Sequence, residues 1–387
     1  MPAIVLKNAT IAVSDRTTHT GSVLIENDLI TAIGRLSDDA QKHEMDLSGL
    51  TLLPGFIDVH NHGAAGHDVN SSTAEELLEV AVFLARNGVT AWLPTLVPDS
   101  DENYRRIIGE IDRLIELQDG KPVAQAVGVH YEGVFANEAM CGALRPQYFK
   151  PGRQLAVGSW QLPRLRRGVH MTTLAPEVEG GIDLIKRLVG DGWVVSIGHT
   201  RADAKTLDAA FEAGARHLTH FFNAMTGVHH RDIGVAGWGL SHTGATFDII
   251  ADGIHVAPQM LEFACRSKGP DKVSLISDSV APTGLGDGEY DLWGEKISVV
   301  GGRTRNERGS IAGSVITVHE AVKRMLALGF SMREVSQMAS ANPAKLLGLD
   351  VEMGSVKVGK RGDLVSLDAD SNIKSVLIGG KPVSLEN

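Results

Sequence analysis

The chain of 387 residues has only two cysteines, Cys141 and Cys265, in no CxxC or ribbon spacing, so neither a disulfide framework nor a cysteine-built zinc site organises it. Two thiols in so long a chain suit a reducing cytoplasm. No stretch approaches the ~18 apolar residues of a membrane span, and the start, Met1-Pro2-Ala3-Ile4-Val5-Leu6-Lys7, turns polar too soon for a signal-peptide core. A soluble, unprocessed cytoplasmic protein is the expectation. Positive charge is not in excess either: 37 Lys and Arg against 47 Asp and Glu leave −10, which argues against a nucleic-acid or anionic-membrane partner unless a local basic patch exists, and none is visible. What remains, 43% apolar and 22% charged, is the composition of a globular protein with room for two domains or for one large barrel with an appendage.

Histidine is the residue the sequence does have. Twelve of the 15 fall between His60 and His255, and none follows His319. Whatever uses them lies in the middle of the chain.

The two ends look alike. Short strands separated by turns are expected at Ala3 to Val13 and Gly21 to Gly34, the latter a hairpin across Glu26-Asn27-Asp28, and again at Gly354 to Val358, Asp363 to Leu367 and Ile373 to Ile378. The termini are therefore expected to pair into one small β-sandwich domain, residues 1–54 plus 355–387, with residues 55–354 inserted between them. That insert alternates. Candidate strands are Phe56 to His60, Val89 to Val97, Gln125 to Tyr131, Val169 to Leu174, Trp193 to His199, His217 to Phe222, Thr246 to His255 and Val273 to Asp278. Helical spacing of apolar residues covers Ala74 to Arg86, Asp101 to Leu117, Ile182 to Val189 and Ala202 to Ala213. Eight strands in βα alternation over ~300 residues mark an α/β fold, the (β/α)8 TIM barrel, whose active site lies at the C-terminal strand ends. A doubly wound open sheet is the alternative. The Gly-rich stretch from Thr283 to Gly313 reads as an excursion after the eighth strand, with a hairpin in it.

Chemistry-bearing residues fall where such a barrel would place them. His60 and His62 end the first strand, and residues i and i+2 of an extended chain share a face, so one ion can take both imidazoles. Glu132, His199, His220 and Asp278 end the third, fifth, sixth and eighth strands. A single histidine or aspartate at a strand end is usually a satisfied rim residue or a helix cap. Recurrence on five strands is harder to dismiss.

The stretch Pro54-Gly55-Phe56-Ile57-Asp58-Val59-His60-Asn61-His62-Gly63 resembles the entry motif of the metal-dependent amidohydrolase superfamily. The segments around Glu132, Gly198-His199-Thr200, Thr219 to Met225, Asp252-Gly253-Ile254-His255, Ser277-Asp278 and Ala281 to Gly284 resemble one branch, the N-acetylglucosamine-6-phosphate deacetylases, and the likeness runs over nearly the whole chain. It implies that Glu132, His199 and His220 hold one divalent metal and that His60 and His62 supply a second position, so one or two ions, zinc or iron first and manganese or cobalt next. The fourth candidate strand lacks the lysine that bridges two metals elsewhere in the superfamily, which leaves bridging to Glu132. Asp278 is implied as the catalytic base and then acid, and His130 as a partner that orients the site or merely packs. For the substrate, the resemblance implies that the amides of Asn223 and Ala224, together with His230 and Arg231, hold a 6-phosphate, the Arg donated across a homodimer interface, and that His255 contacts the sugar. Without such roles, His229 to Asp232 would be a solvated loop and His255 the cap of a helix starting near Pro258.

The chain also departs from that branch. Its Glu-Gly-Pro is Glu132-Gly133-Val134, a proline after the Arg-Asp pair is Ile233, and a Gly-Ala-His that supplies a substrate-contacting histidine is Gly142-Ala143-Leu144. Leucine can neither donate to a carbonyl nor meet a sugar oxygen. Either a neighbour such as Arg145 substitutes or the substrate differs. The expected function is removal of the acetyl group from N-acetylglucosamine 6-phosphate or a close N-acetylhexosamine phosphate, through a water whose pKa a divalent ion lowers from ~15.7 towards ~7. The alternatives are a same-fold amidohydrolase acting on an unphosphorylated N-acetyl sugar or another N-acyl substrate, and a catalytically dead scaffold, which the retention of Asp278 and all five ligands argues against.

Overall fold

A computed structural model describes residues 3–12, 18–34, 43–152, 154, 158 and 161–386. Its centre is a ring of parallel strands, β1 (Phe56–Asn61), β2 (Val89–Leu96), β3 (Gly128–Phe135), β4 (Val169–Leu174), β5 (Val194–Ile197), β6 (His217–Leu218), β7 (Thr246–Ile250) and β8 (Val273–Ile276). Each pairs with the next. The ring closes between β8 and β1 just beyond their ends, where Asn61 bridges Ser279 and the Asp278 N–H donates to the His60 carbonyl at 2.9 Å. This is the TIM barrel that the alternation implied, not an open sheet.

Helices run outside it, and their signals are local. α1 (Ala74–Arg86) opens on a capping box between Thr73 and Glu76, and α2 (Asp101–Leu117) opens on Ser100, whose hydroxyl accepts from the Asn103 N–H. α3 (Gly181–Gly190) and α4 (Ala204–Glu212) follow β4 and β5, the latter capped by Asp203. Inside the ring, Ile57, Val59, Ala91, Leu93, Met171, Ile250 and Ile276 pack with Ala344, Leu347 and Met353. That apolar plug fills one end of the barrel. The histidines gather at the other.

Several strand boundaries differ from the expectation. β6 stops at Leu218 rather than Phe222, because His220 and Phe222 take φ of 34° and 76°, which no strand accommodates. β7 ends at Ile250, five residues short of His255, and β5 ends at Ile197. The excursion after β8 is a three-stranded antiparallel sheet, Gly288–Leu292, Glu295–Val300 and Arg303–Asn306, rather than a hairpin.

Strands from both chain ends join in one eight-stranded sheet. Ile4–Ala12 pairs with Thr18–Glu26 and runs parallel to His43–Asp46 and Thr51–Pro54, and Leu364–Leu367 joins the edge of Thr51–Pro54. The hairpin turn falls at Asn27-Asp28, both with positive φ (48° and 69°), as a two-residue turn with the strands' twist requires. Its apolar face is built from Leu6, Ile11, Val23, Ile25, Leu52, Leu364 and Leu377. Gly354 to Val358 forms no strand; only Val356 reaches that cluster. Val13 lies outside the described residues. Among them, no helix is long and apolar enough to cross a membrane.

Candidate active site

His199, His220 and Asp278 each stand two residues beyond the end of their strand, and all three adopt left-handed backbone, with φ of 49°, 34° and 50°. For residues with a Cβ such a conformation costs about 1–3 kcal/mol each and persists only where the surroundings impose it. Here they do. The Asp248 carboxylate accepts from the His220 N–H, and its carbonyl accepts from the Phe221 N–H at 2.8 Å. The Asn137 N–H donates to the His199 carbonyl at 3.0 Å, while Asp278 is pinned on both sides, its N–H to His60 and its carbonyl to the Ser314 N–H at 2.7 Å. Gly198 is required for a different reason: a Cβ there would stand 2.6 Å from the Thr173 methyl.

Glu132 reaches the same point from within β3. The pairing of β3 with β4 shifts register between Glu132 and Phe135, a bulge that re-aims the side chain towards the barrel mouth. At the end of β1, His60 and His62 project to one face, and the intervening Asn61 turns to the seam, donating to Ser279 Oγ at 2.7 Å and Asp58 Oδ2 at 3.1 Å. Strand periodicity therefore divides the His-Asn-His motif into two ring nitrogens for the site and one amide for the fold.

The nitrogens and carboxylates converge. His60 Nε2 and His62 Nε2 are 3.1 Å apart and lie 3.5 and 3.4 Å from Glu132 oxygens; His199 Nε2 and His220 Nε2 are 3.0 Å from each other and each 3.0 Å from Glu132 Oε1. Two sets of three donors result, His60–His62–Glu132 and Glu132–His199–His220, with Glu132 common to both. Asp278 Oδ1 stands 3.3 Å from His62 Nε2 and 3.5 Å from His60 Nε2.

These donors suit a divalent ion. His62 Nδ1 faces the Thr95 carbonyl at 3.1 Å and His199 Nδ1 faces the Met140 carbonyl at 2.8 Å. A carbonyl only accepts, so both Nδ1 atoms carry hydrogen, and each neutral ring is left with a bare Nε2 lone pair aimed at a carboxylate. Such a cluster repels itself unless it holds a cation or takes up protons. The same pull acts on the protonation of the rings. Burial works against a charged ring, yet the carboxylates of Asp278 and Glu132 outweigh it and carry His62 up to about 10. Glu132, with Asp278 and Asp248 adding charge, lifts His220 to about 9 against the same opposition. Burial likewise opposes ionisation of Glu132 and Asp278, but the surrounding imidazoles hold both carboxyls below the usual range.

The other histidines divide cleanly. His130 spends both nitrogens, on the Val59 carbonyl and the Thr173 hydroxyl, and lies edge-on beneath His60 at 4.7 Å between ring centroids, so it packs under that ring rather than facing the cavity. His217 bonds Asp248 at 3.0 Å and Thr246 at 2.7 Å, which fixes the carboxylate that fixes His220. His255 is turned by Asp252, whose Oδ2 lies 2.6 Å from Nδ1, and it caps nothing: the helix α5 (Pro258–Lys268) has no side-chain cap at Ala257.

A cavity of about 300 Å³ opens over the centre, lined by His62, Glu132, His199, His220, Asn223, Ala224, His255 and Asp278 together with Leu144, Trp293 and Ile311. His60 lies beneath it, fully buried. His230 and Arg231 are not in the lining; both are exposed and meet each other at 2.8 Å. Arg145, the neighbour that could stand in for the missing histidine, also points elsewhere: it pairs with Asp99 at 2.8 Å in a neighbouring cavity, because Leu144 occupies the side facing the centre. Sequence reasoning missed Trp293, whose indole donates to Asp68 Oδ2 at 2.9 Å and stands edge-on to His62. Its one signal was its place in the Gly-rich excursion.

A barrel with such a rim is the architecture of a hydrolase family, and the chain belongs to it: the amidohydrolase family model matches residues 51–383. Within that family it falls with the N-acetylhexosamine-phosphate deacetylases. It is 35% identical over 365 residues to the N-acetylgalactosamine-6-phosphate deacetylase of Escherichia coli O157:H7, covering 93% of this chain and 94% of that one. To the N-acetylglucosamine-6-phosphate deacetylase of Bacillus subtilis it is 31% identical over 375 residues, covering 96% and 94%. A variant of the Mycobacterium smegmatis N-acetyl-D-glucosamine-6-phosphate deacetylase, solved in complex with N-acetyl-D-glucosamine 6-phosphate, superposes with a TM-score of 0.88 at 31% identity, covering 99% of this chain and all of that one.

Proposed function

We propose that this chain is a metal-dependent deacetylase that removes the acetyl group from N-acetylglucosamine 6-phosphate or a close N-acetylhexosamine phosphate, giving the amino-sugar phosphate and acetate. The observation that carries the proposal is the pair of His–carboxylate sets sharing Glu132, with Asp278 within 3.5 Å of both β1 histidines, in one cavity. In this reading Glu132, His199 and His220 hold one ion, zinc or iron before manganese or cobalt, and His60 and His62 with Glu132 hold a second where one binds. When bound, the ion supplies a Lewis acid for the carbonyl and acidifies a water. Asp278, kept ionised by its imidazole neighbours, would take a proton from the attacking water as the water oxygen bonds the carbonyl carbon, and would return it to the sugar nitrogen as the C–N bond breaks. The amides of Asn223 and Ala224 help hold the 6-phosphate, and His255 contacts the sugar.

His230 and Arg231 enter through a second copy. In the proposed homodimer their loop, flanked by the exposed Val228 and Ile233, reaches the partner's cavity, where an Arg fork suits a phosphate. The two free thiols support a cytoplasmic site of action. A galactosamine-based substrate is the second reading, favoured by the 35% identity to the E. coli enzyme named for it. Acetate release from a panel of phosphorylated and free N-acetylhexosamines by metal-reconstituted protein tests both, and turnover of a non-sugar amide alone would overturn them.

A further inference from the structure

The cavity has unlike walls. Asn223, His255 and Ser310 bring polar groups to its lining, while Leu144 and Trp293, which share one apolar cluster, bring apolar surface. Behind Trp293 lies a second cavity of about 370 Å³ that includes Asp68, Asp99, Arg106 and Arg145, and among the described residues Trp293 is the only one lining both. The indole is a partition.

It is a partition held against local preference. Leu292 pairs with Glu295, so Trp293-Gly294 is a two-residue hairpin turn, and both take positive φ, 54° and 81°. Such turns favour Asn-Gly, and a tryptophan at the first position is strained there. Contacts hold the ring in place: its N–H bonds Asp68 at 2.9 Å, it stands edge-on to His62 with centroids 5.3 Å apart, and it packs against the small apolar cluster of Leu144, Val97 and Ala136. Gly133 serves the same packing, since a Cβ there would stand 2.2 Å from the Leu144 methyl.

We propose that Trp293, with Leu144 beside it, is the wall that limits the length of the N-acyl group. The inference rests on the deacetylase reading. A carbonyl attacked beside Asp278 and His62 has two substituents: the sugar, whose hydroxyls match the polar lining, and the acyl chain, whose methyl matches Trp293 and Leu144. A longer chain meets the indole, and discrimination of one methylene in an apolar pocket is worth about 10- to 200-fold.

The test compares N-acetyl, N-propanoyl and N-butanoyl glucosamine 6-phosphate with the metal-loaded protein. Trp293→Ala should raise the N-butanoyl to N-acetyl ratio of kcat/KM by about tenfold or more, and Trp293→Phe, which keeps bulk but loses the Asp68 bond, should raise it less. An equal fall for all three substrates would mean that the ring holds the sugar, and would overturn the proposal. A second readout does not need turnover: acetohydroxamate and butanohydroxamate are scored by the rise in Tm of metal-loaded protein. The parent should respond to the short one only and Trp293→Ala to both; equal responses of the parent would overturn the wall. Should the parent cleave no N-acetyl sugar, the deacetylase reading fails, and the hydroxamate pair still decides the wall.

Discussion

The cavity floor and the loop at His229 to Asp232 carry the same residue type under opposite conditions. On the floor, His60, His62, His199 and His220 are at most 4% exposed, and two of their tautomers are fixed by backbone carbonyls. In the loop, His229 and His230 are exposed, with ring centroids 4.3 Å apart at a tilt of 45°, and Arg231 lies alongside. Histidine alone therefore marks neither a ligand nor a substrate contact. What distinguishes the floor is that long-range partners hold the rings of His62 and His199 and the backbone of His220, so that all four Nε2 atoms meet at the centre. The loop lacks that constraint within one chain, and its role in holding a phosphate is proposed only through a second copy.

The comparison can be broken most severely at Asp278. Asp278→Asn should lower kcat by about 10²- to 10⁴-fold, the usual contribution of a general acid–base group, with bound metal retained; steady-state kinetics beside elemental analysis separates the two. Chelation should abolish activity, and added zinc or iron should restore it. The next effect comes from support rather than ligation. Asp248→Asn, which disturbs the acceptor of the His220 N–H and the partner of His217, should weaken metal affinity by about 10- to 100-fold, read by competition with a chelating dye. Arg231→Ala sharpens the other side: KM should rise for a 6-phosphorylated substrate and stay unchanged for its unphosphorylated counterpart, with Tm unmoved.

The smallest effect is on stability. His170 accepts from the Leu165 N–H at 2.9 Å, and burial, reinforced by Arg164, pushes it down to about 4. The unfolded ring titrates near 6.5, so its contribution is fully present above that pH and is lost as pH falls from about 6.5 to about 4. His170→Gln should flatten the fall in Tm across that window.

Much of this was legible before the structure. The spacing of apolar residues located α1 and α2 to the residue, and the placing of His60, His62, His199, His220 and Asp278 at strand ends pointed to one rim, although Glu132, expected to end its strand, lies within β3 and reaches the rim through a bulge. The boundaries of β5 and β6 were not legible, since the chain leaves β conformation through left-handed residues, His199 and His220, whose cost is met by distant partners. Asp248, Thr95 and the Met140 carbonyl were invisible for the same reason: each acts across the fold on a residue tens of positions away. Arg145 shows the limit of adjacency, being next to Leu144 in the chain and in a different cavity in space.

The most direct test of the central claim is a titration of metal into stripped protein with acetate release from N-acetylglucosamine 6-phosphate followed throughout. Activity should rise in step with bound ions, saturate at one or two per chain, and stay absent in Glu132→Gln. Full activity in the stripped protein, or in that variant, would contradict the account.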